Sequence, residues 1–296
     1  MKIIIDDKIP YIRGEFERWA EVEYLDYHEM THDRVHDADV LVIRTRTKCN
    51  EALLKGSRVR IIATATIGRD HIDEAWCESN GIKVVSAPGC NAPAVGEWVG
   101  DALRHWADTC NVKLDNERIA IVGYGHVGHE VEKVALHLGL GIELVDPYVE
   151  GCHEKVEEVI DKCRVVTYHV PLNDETRHLC NADVLRLMSH QGLLVNAARG
   201  GIVDEEALIR WLEENPNANA AIDCWEGEPM IDRELAKRVM IGTPHIAGYS
   251  AEGKWRGTRM VVDAIKEHFG WQWKINEASD EFLSNTRDFE KLRKTR

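Results

Sequence analysis

Arg199 in Asn-Ala-Ala-Arg-Gly-Gly, Glu228 in Trp-Glu-Gly-Glu-Pro and His245 in Thr-Pro-His-Ile-Ala-Gly are separated by 29 and 17 positions. Each lies just after a short apolar run of the kind that forms a buried parallel strand. Imidazole titrates near neutral pH, so His245 suits the transfer of a hydroxyl proton. A carboxylate bonded to the ring would fix its tautomer and stabilise the imidazolium, a role open to Glu228. Arg199 offers a planar fork for a carboxylate or a keto oxygen. Taken singly, each residue type is more often structural than catalytic. As a set at strand ends, they suit a carboxylate-bearing alcohol that loses a proton and a hydride.

A receiver for the hydride is written upstream. The segment Arg118-Ile-Ala-Ile-Val-Gly-Tyr-Gly-His-Val-Gly carries Gly123-x-Gly125-x-x-Gly128. The glycine pattern alone is weak, but here it follows a strand and opens a helix. Val127, Val131, Val134, Ala135 and Leu138 share one face of that helix, and Gly139 stops it. The next strand ends at Asp146, eighteen residues beyond Gly128. That order predicts a dinucleotide site. Gly123 permits the turn, Gly125 admits the pyrophosphate, and Gly128 allows close helix–strand packing. His126 and Val127 begin the helix whose N-terminus faces the phosphates. Asp146 can accept hydrogen bonds from the ribose hydroxyls and would repel a 2′-phosphate, which favours NAD over NADP.

These residues require an alternating α/β scaffold. Candidate strands are Ile3–Ile5, Val40–Ile43, Arg60–Ala63 and Lys83–Val85, then Ile119–Val122, Glu143–Val145, Val165–Tyr168, Leu193–Val195 and Ala220–Ile222. The pattern predicts two Rossmann-like doubly wound parallel-sheet domains with the active site in the cleft between them. Residues 1–92 and 250–296 would form a flavodoxin-like substrate-binding domain, and 93–249 the NAD-binding Rossmann domain. A helix from about Pro93 to Ala107 divides them, capped by Asn91, with Val95, Trp98, Val99, Ala102, Leu103 and Trp106 on one face. A second long helix, about Ser250 to Phe269, carries Trp255, Val262, Ile265 and Phe269 along one stripe. The charged tail from Trp271 is expected to be poorly ordered unless a partner holds it.

A chain of 296 residues is long enough for two cores. Its net charge of −14 argues against nucleic acid or an anionic membrane as the main partner. The sequence has neither a transmembrane-length apolar run nor a signal peptide, which leads to a cytoplasmic expectation. Eight cysteines form no Cys-x-x-Cys pair and no metal-ligand spacing, so free thiols and no metal are expected. Cys90 lies in a glycine-rich turn, where a packing role outweighs a chemical one.

The fingerprint, Asn196-Ala-Ala-Arg-Gly-Gly-Ile-Val-Asp, Asp223-Cys-Trp-Glu-Gly-Glu-Pro and Pro244-His245 resemble the D-isomer-specific 2-hydroxyacid dehydrogenases. Four stretches narrow the resemblance: Arg44-Thr-Arg-Thr-Lys-Cys-Asn, Ala63-Thr-Ala-Thr-Ile-Gly-Arg-Asp-His-Ile-Asp, Ala87-Pro-Gly-Cys-Asn-Ala and His245-Ile-Ala-Gly-Tyr-Ser-Ala-Glu-Gly-Lys. They resemble a branch that oxidises 4-phospho-D-erythronate with NAD in vitamin B6 biosynthesis. The resemblance implies Arg199, Glu228 and His245 as catalytic residues. It implies Thr45, Thr66 and Tyr249 at substrate, and Asp146, Asp223 and Gly248 at cofactor. Val170 stands where the family often has a threonine, so contact there would be through backbone or packing. Amides around Ile67 and Gly68 would hold the substrate carboxylate. The branch normally adds a C-terminal dimerisation domain, expected here to be missing or reduced; a homodimer is still expected, because the wider family also pairs through the cofactor domain.

A phosphorylated hydroxy acid needs cations beyond Arg199. Arg44, Arg46 and Lys48 crowd one strand end, where alternation would aim all three to one side. Arg69 lies beyond Gly68, and Lys254 and Arg256 follow Tyr249. Two or three of these are expected to touch substrate, with Arg44, Arg46 and Lys254 preferred. Two other readings stay open: another small 2-hydroxy acid such as phosphoglycerate or glyoxylate, and a non-catalytic NAD(H)-sensing module.

Overall fold

Alternating apolar runs become two parallel sheets in the computed structural model, which describes residues 1–271. In chain order the strands are β1 (Lys2–Asp6), β2 (Glu21–Leu25), β3 (Val40–Ile43), β4 (Ile61–Thr64), β5 (Lys83–Val85), β6 (Arg118–Val122), β7 (Gly141–Val145), β8 (Val165–Tyr168), β9 (Leu193–Asn196), β10 (Asn219–Ile222) and β11 (Ile241–Gly242). The helices are α1 (His32–Val35), α2 (Glu51–Leu54), α3 (Glu74–Ser79), α4 (Ala92–Cys110), α5 (His126–His137), α6 (Ala182–Leu187), α7 (Glu205–Glu214), α8 (Arg233–Arg238) and α9 (Ala251–Phe269).

Contacts divide the described chain into two units, Met1–Asn91 with the segment from Ser250 onward, and Ala92–Tyr249. In unit 1 the strand order is β2-β1-β3-β4-β5, and in unit 2 it is β11-β10-β9-β8-β6-β7. All pairings are parallel. Both sheets are doubly wound, as the alternation predicts. The order reverses beside β1 in unit 1 and beside β6 in unit 2, and such a switch point opens a crevice at the carboxyl ends of the strands.

Two strands escape an apolar-run reading. β2 is Glu-Val-Glu-Tyr-Leu at a sheet edge, where Glu21 is exposed and Glu23 pairs with Lys2 and Arg34. Charges are tolerated there because one side of the strand is open. β11 has only two residues. The Arg44–Lys48 segment also differs from expectation. The chain turns as soon as β3 ends, with the Thr47 amide donating to the Arg44 carbonyl at 3.2 Å, so strand alternation does not apply; Arg44 pairs with Asp6 while Arg46 lies over the Tyr27 ring.

The long helices are held by their apolar stripes. Val95, Trp98, Val99, Ala102, Leu103 and Trp106 of α4 are all buried against β6, β8 and α5. A Cβ on Gly100 would lie 2.6 Å from Val134 Cγ1, so glycine sets the close approach of α4 and α5. Among the described residues the Asn91 side-chain oxygen has no hydrogen-bond partner, so the predicted cap on α4 is not formed. α9 begins as expected, with Ser250 Oγ accepting the Gly253 amide at 2.9 Å. Val261, Val262 and Ile265 bury it against β1, β3 and β4. Trp271 stacks on Phe269 and Trp19, with centroids 5.1 and 5.7 Å away. The tail expected to be poorly ordered lies, beyond Trp271, outside the described residues. No helix among the described residues is long and apolar enough to cross a membrane.

Leu103 is fully buried in this helical stripe. Leu103→Ala should cost about 2–5 kcal/mol through lost transfer energy and a cavity. Urea unfolding followed by circular dichroism should show the loss as a lowered midpoint.

Candidate active site and cofactor site

The catalytic candidates sit on three loops at the carboxyl ends of neighbouring strands. Arg199 follows β9, Glu228 follows β10, and His245 follows β11. Strand adjacency brings these distant residues together. His245 Nδ1 and Glu228 Oε2 are 2.8 Å apart, and Glu228 Oε1 accepts the Trp225 amide at 2.7 Å. His245 has a positive φ of 54°, a strained conformation for a residue with a side chain. Its amide donates to the Asp223 carbonyl at 2.8 Å, which holds that conformation.

The pair favours its charged form. The hydrogen bond to Glu228 raises the His245 pKa above 6.5, against the opposing effect of burial. Burial alone would raise the Glu228 carboxyl, but the His245 bond and the Trp225 amide bring it below 4.5. Arg199 is close enough to act on both, lowering each pKa by its charge. With Nδ1 tied to Glu228, His245 Nε2 is left without a hydrogen-bond partner among the described residues.

Buried polar groups that sequence reasoning passed over, or cast differently, organise the loops. Asn196 Nδ2 donates to the carbonyls of Arg199 and Cys224 at 3.0 and 3.3 Å, closing the arginine turn. Asp223 is 1% exposed. It accepts the Thr243 hydroxyl on Oδ1, the Ile246 amide on Oδ1 at 2.8 Å and the Ala247 amide on Oδ2 at 2.8 Å. Its visible work is therefore to shape the loop carrying His245 and Gly248. Behind Glu228, the Glu205 carboxyl accepts the Glu226 amide at 2.7 Å, and burial pushes its pKa up to about 7. Their common signal is a polar residue at or just beyond the end of an apolar strand, or at a helix start.

The dinucleotide candidates assemble at the switch point between β6 and β8. Gly123 has φ +94°, and a Cβ there would lie 2.8 Å from the His169 backbone and 2.9 Å from Val170 Cγ1. Val170 thus packs on the glycine turn. A Cβ on Gly128 would lie 2.3 Å from the Gly123 carbonyl, whereas one on Gly125 would meet nothing within 4 Å. The open side of the turn is where a pyrophosphate fits. Among the described residues no side chain caps the N-terminus of α5 at Gly125, His126 is exposed and Val127 half-buried, so the first amides are open to an anion such as a pyrophosphate. Asp146 accepts the Tyr124 amide on Oδ2 at 2.9 Å and the Tyr148 amide on Oδ1 at 3.0 Å. Each oxygen keeps a lone pair for a ribose hydroxyl. The residues present fit NAD.

Residues 94–247 match the D-isomer specific 2-hydroxyacid dehydrogenase family, NAD binding domain. The chain belongs to that family. Erythronate-4-phosphate dehydrogenase of Bacteroides thetaiotaomicron is 44% identical over 279 residues, covering 91% of this chain and 80% of that one. The Escherichia coli protein of the same name is 39% identical, with 91% and 74% covered. Among solved structures, NAD+-bound 3-phosphoglycerate dehydrogenase of Entamoeba histolytica superposes with a TM-score of 0.79 at 26% identity, covering 97% of this chain and 99% of that one. The chain is an NAD-dependent oxidoreductase of this family.

The substrate candidates divide between the two units. In unit 1, Thr66 Oγ1 shares a 2.7 Å hydrogen bond with Thr64 Oγ1, and the Thr66 carbonyl accepts the Ala87 amide at 3.0 Å. The Ile67 and Gly68 amides, next in the chain, donate to no other group among the described residues. Thr45 and Arg46 lie in the exposed turn after β3, with Arg46 over the Tyr27 ring at 5.3 Å. Arg44 pairs with Asp6, Arg69 with Glu74 and Arg256 with Glu252. Lys254 is exposed on the first turn of α9. Cys90 is buried, and burial pushes its thiol pKa up, as a packing residue requires. In unit 2, Tyr249 is 63% exposed, with its amide turned back to the Ile246 carbonyl at 2.8 Å.

The His245 ring should titrate above 6.5, and Glu228→Gln should bring that value down by removing the bonded charge. Proton NMR of the ring across pH 5–9 checks the shift; an unchanged value would mean that Glu228 does not set it.

Proposed function

We propose that the chain oxidises 4-phospho-D-erythronate to 2-oxo-3-hydroxy-4-phosphobutanoate, a step of pyridoxal 5′-phosphate biosynthesis. The reading is carried by the Glu228–His245 pair at 2.8 Å, set beside Arg199 in a chain closely related to erythronate-4-phosphate dehydrogenases. When bound, NAD supplies the acceptor for the C2 hydride. Arg199 holds the C1 carboxylate and the C2 oxygen. His245 Nε2 removes the C2 hydroxyl proton as the C2–H bond breaks, leaving a keto group. Glu228 holds the ring by Nδ1 and stabilises its protonated form. Neutral His245 is the working form for oxidation, so the rate should rise with pH through its elevated pKa.

The substrate end of the proposal rests on Arg44, Thr45, Arg46, Thr66, Ile67, Gly68, Tyr249 and Lys254. The cofactor end rests on Gly123, Gly125, His126, Val127, Gly128, Asp146, Val170, Asp223 and Gly248. A cytoplasmic homodimer completes the reading.

Clear preference for 4-phospho-D-erythronate over 3-phosphoglycerate and unphosphorylated erythronate is expected in an NAD-linked assay. A 2-oxo acid is included as co-substrate in case reduced cofactor stays bound. Preference for another acid would overturn the substrate while keeping the fold. Turnover of none would favour an NAD(H)-binding module. His245→Ala should abolish turnover and leave NADH binding, followed by its fluorescence, nearly intact; a loss under about tenfold removes His245 from the role of base.

A further inference from the structure

The switch point of unit 1 holds a charge pair that the mechanism above does not use. Asp6 ends β1 and Arg44 follows β3, the neighbouring strand. Asp6 is fully buried. Its Oδ1 accepts the Lys8 amide at 2.9 Å and Arg44 Nε at 3.2 Å, while Oδ2 has no partner among the described residues. A carboxylate buried in this way is costly unless a cation answers it. Among the described residues, its ion pair is with Arg44.

The geometry of the arginine matters more than its charge. Only Nε is used by Asp6, and neither Nη1 nor Nη2 has a hydrogen-bond partner among the described residues. Arg44 is half-buried, so its guanidinium is anchored on one edge and its terminal fork is left for a ligand. A planar fork of this kind grips an oxyanion in bidentate fashion. Arg69 and Arg256 instead spend terminal nitrogens on Glu74 and Glu252. No helix connects β1 to β2, so this switch point has no helix N-terminus of its own to hold an anion.

We propose that Asp6 is a positioning residue: it fixes Arg44 by Nε so that the fork of Arg44 grips the phosphate of the substrate. The proposal rests on the 4-phosphoerythronate reading for the identity of that anion. Asp6 itself touches no substrate. Its carboxylate would repel a phosphate if it acted alone, which gives the test a sign.

Asp6→Asn keeps the shape and an acceptor oxygen but removes the charge. With the full chain and saturating NAD, it should raise KM for 4-phospho-D-erythronate about tenfold, the scale of one charge-assisted hydrogen bond, with kcat within about twofold. KM for unphosphorylated erythronate should stay unchanged, and so should the His245 titration. In an Arg44→Lys background, which lacks Nε geometry, Asp6→Asn should add nothing. Equal loss on both substrates, or a lowered KM for the phosphorylated one, would overturn the proposal. Should Asp6→Asn not fold, the native chain gives the answer through Arg44 side-chain NMR, assigned by Arg44→Lys. Inorganic phosphate should shift the Arg44 Nη signals while Nε–H stays protected from exchange. An Nε–H exchanging as fast as exposed arginines, or no Nη response, would refute it. This arm needs no turnover, so failure of the substrate reading is told apart from failure of the Asp6–Arg44 assignment.

Discussion

Trp225 ties the three loops of the candidate active site to one another. Its amide donates to Glu228 Oε1, its indole N–H donates to the Thr243 carbonyl at 2.8 Å, and its own carbonyl faces the arginine turn. The last contact is so close that a Cβ on Gly200 would lie 1.9 Å from the Trp225 carbonyl oxygen. No residue other than glycine fits beside Arg199 without moving the Trp225–Glu228 loop. The ring is buried, and Gly242 lets β11 lie against it. The loops of Arg199, Glu228 and His245 thus all meet one residue, with Asn196 and Asp223 holding the first and the last, and a rigid surround of that kind is what proton transfer at a fixed atom would require.

That arrangement is a special case of a constraint on every parallel sheet. Strands buried on both faces must be apolar along their length, so polar groups that do chemistry collect where the strands stop. Five of the ten buried polar side chains of the described residues follow the rule: Asp6, Thr64 and Asn196 end β1, β4 and β9, while Asp223 and Thr243 follow β10 and β11. Each shapes the loop that leaves its strand instead of supporting the sheet. Asp223 shows the energetics. Burial raises its pKa, yet one hydroxyl and two amides bond its carboxylate, and those bonds hold His245 in a backbone conformation it would otherwise leave.

The same constraint decides what can be read from a sequence. Apolar runs mark the central strands because burial dictates composition there, and the glycine fingerprint with Asp146 marks the cofactor turn because sterics leave few alternatives. Arg199, Glu228 and His245 could be singled out because their residue types carry chemistry. β2 could not, since an edge strand is free to alternate glutamates with apolar residues. The Arg44–Lys48 alignment failed because alternation lapses once the ladder ends, and Asn91 shows that a favourable cap residue need not cap. Trp225 gave no signal at all: a tryptophan reads as core, and only the folded chain reveals which carbonyl its indole meets and which glycine its backbone crowds.

The two units share an order of strands about their switch points, and under the proposed function they would bind an anion there in different ways. In unit 2, β6 runs through the glycine turn into α5, so uncapped backbone amides and the helix dipole supply positive potential without any formal charge. Such a site suits a diphosphate that the backbone must approach closely. In unit 1, the link from β1 to β2 contains no helix, and Arg44 supplies a formal charge instead. A lone flexible cation would be a poor reader of geometry, because fixing a long side chain costs entropy on binding. Asp6 meets that cost in advance by holding Nε. On the proposed assignment, a single buried carboxylate turns a mobile charge into an oriented fork, in a chain whose net charge of −14 would otherwise oppose an anionic ligand.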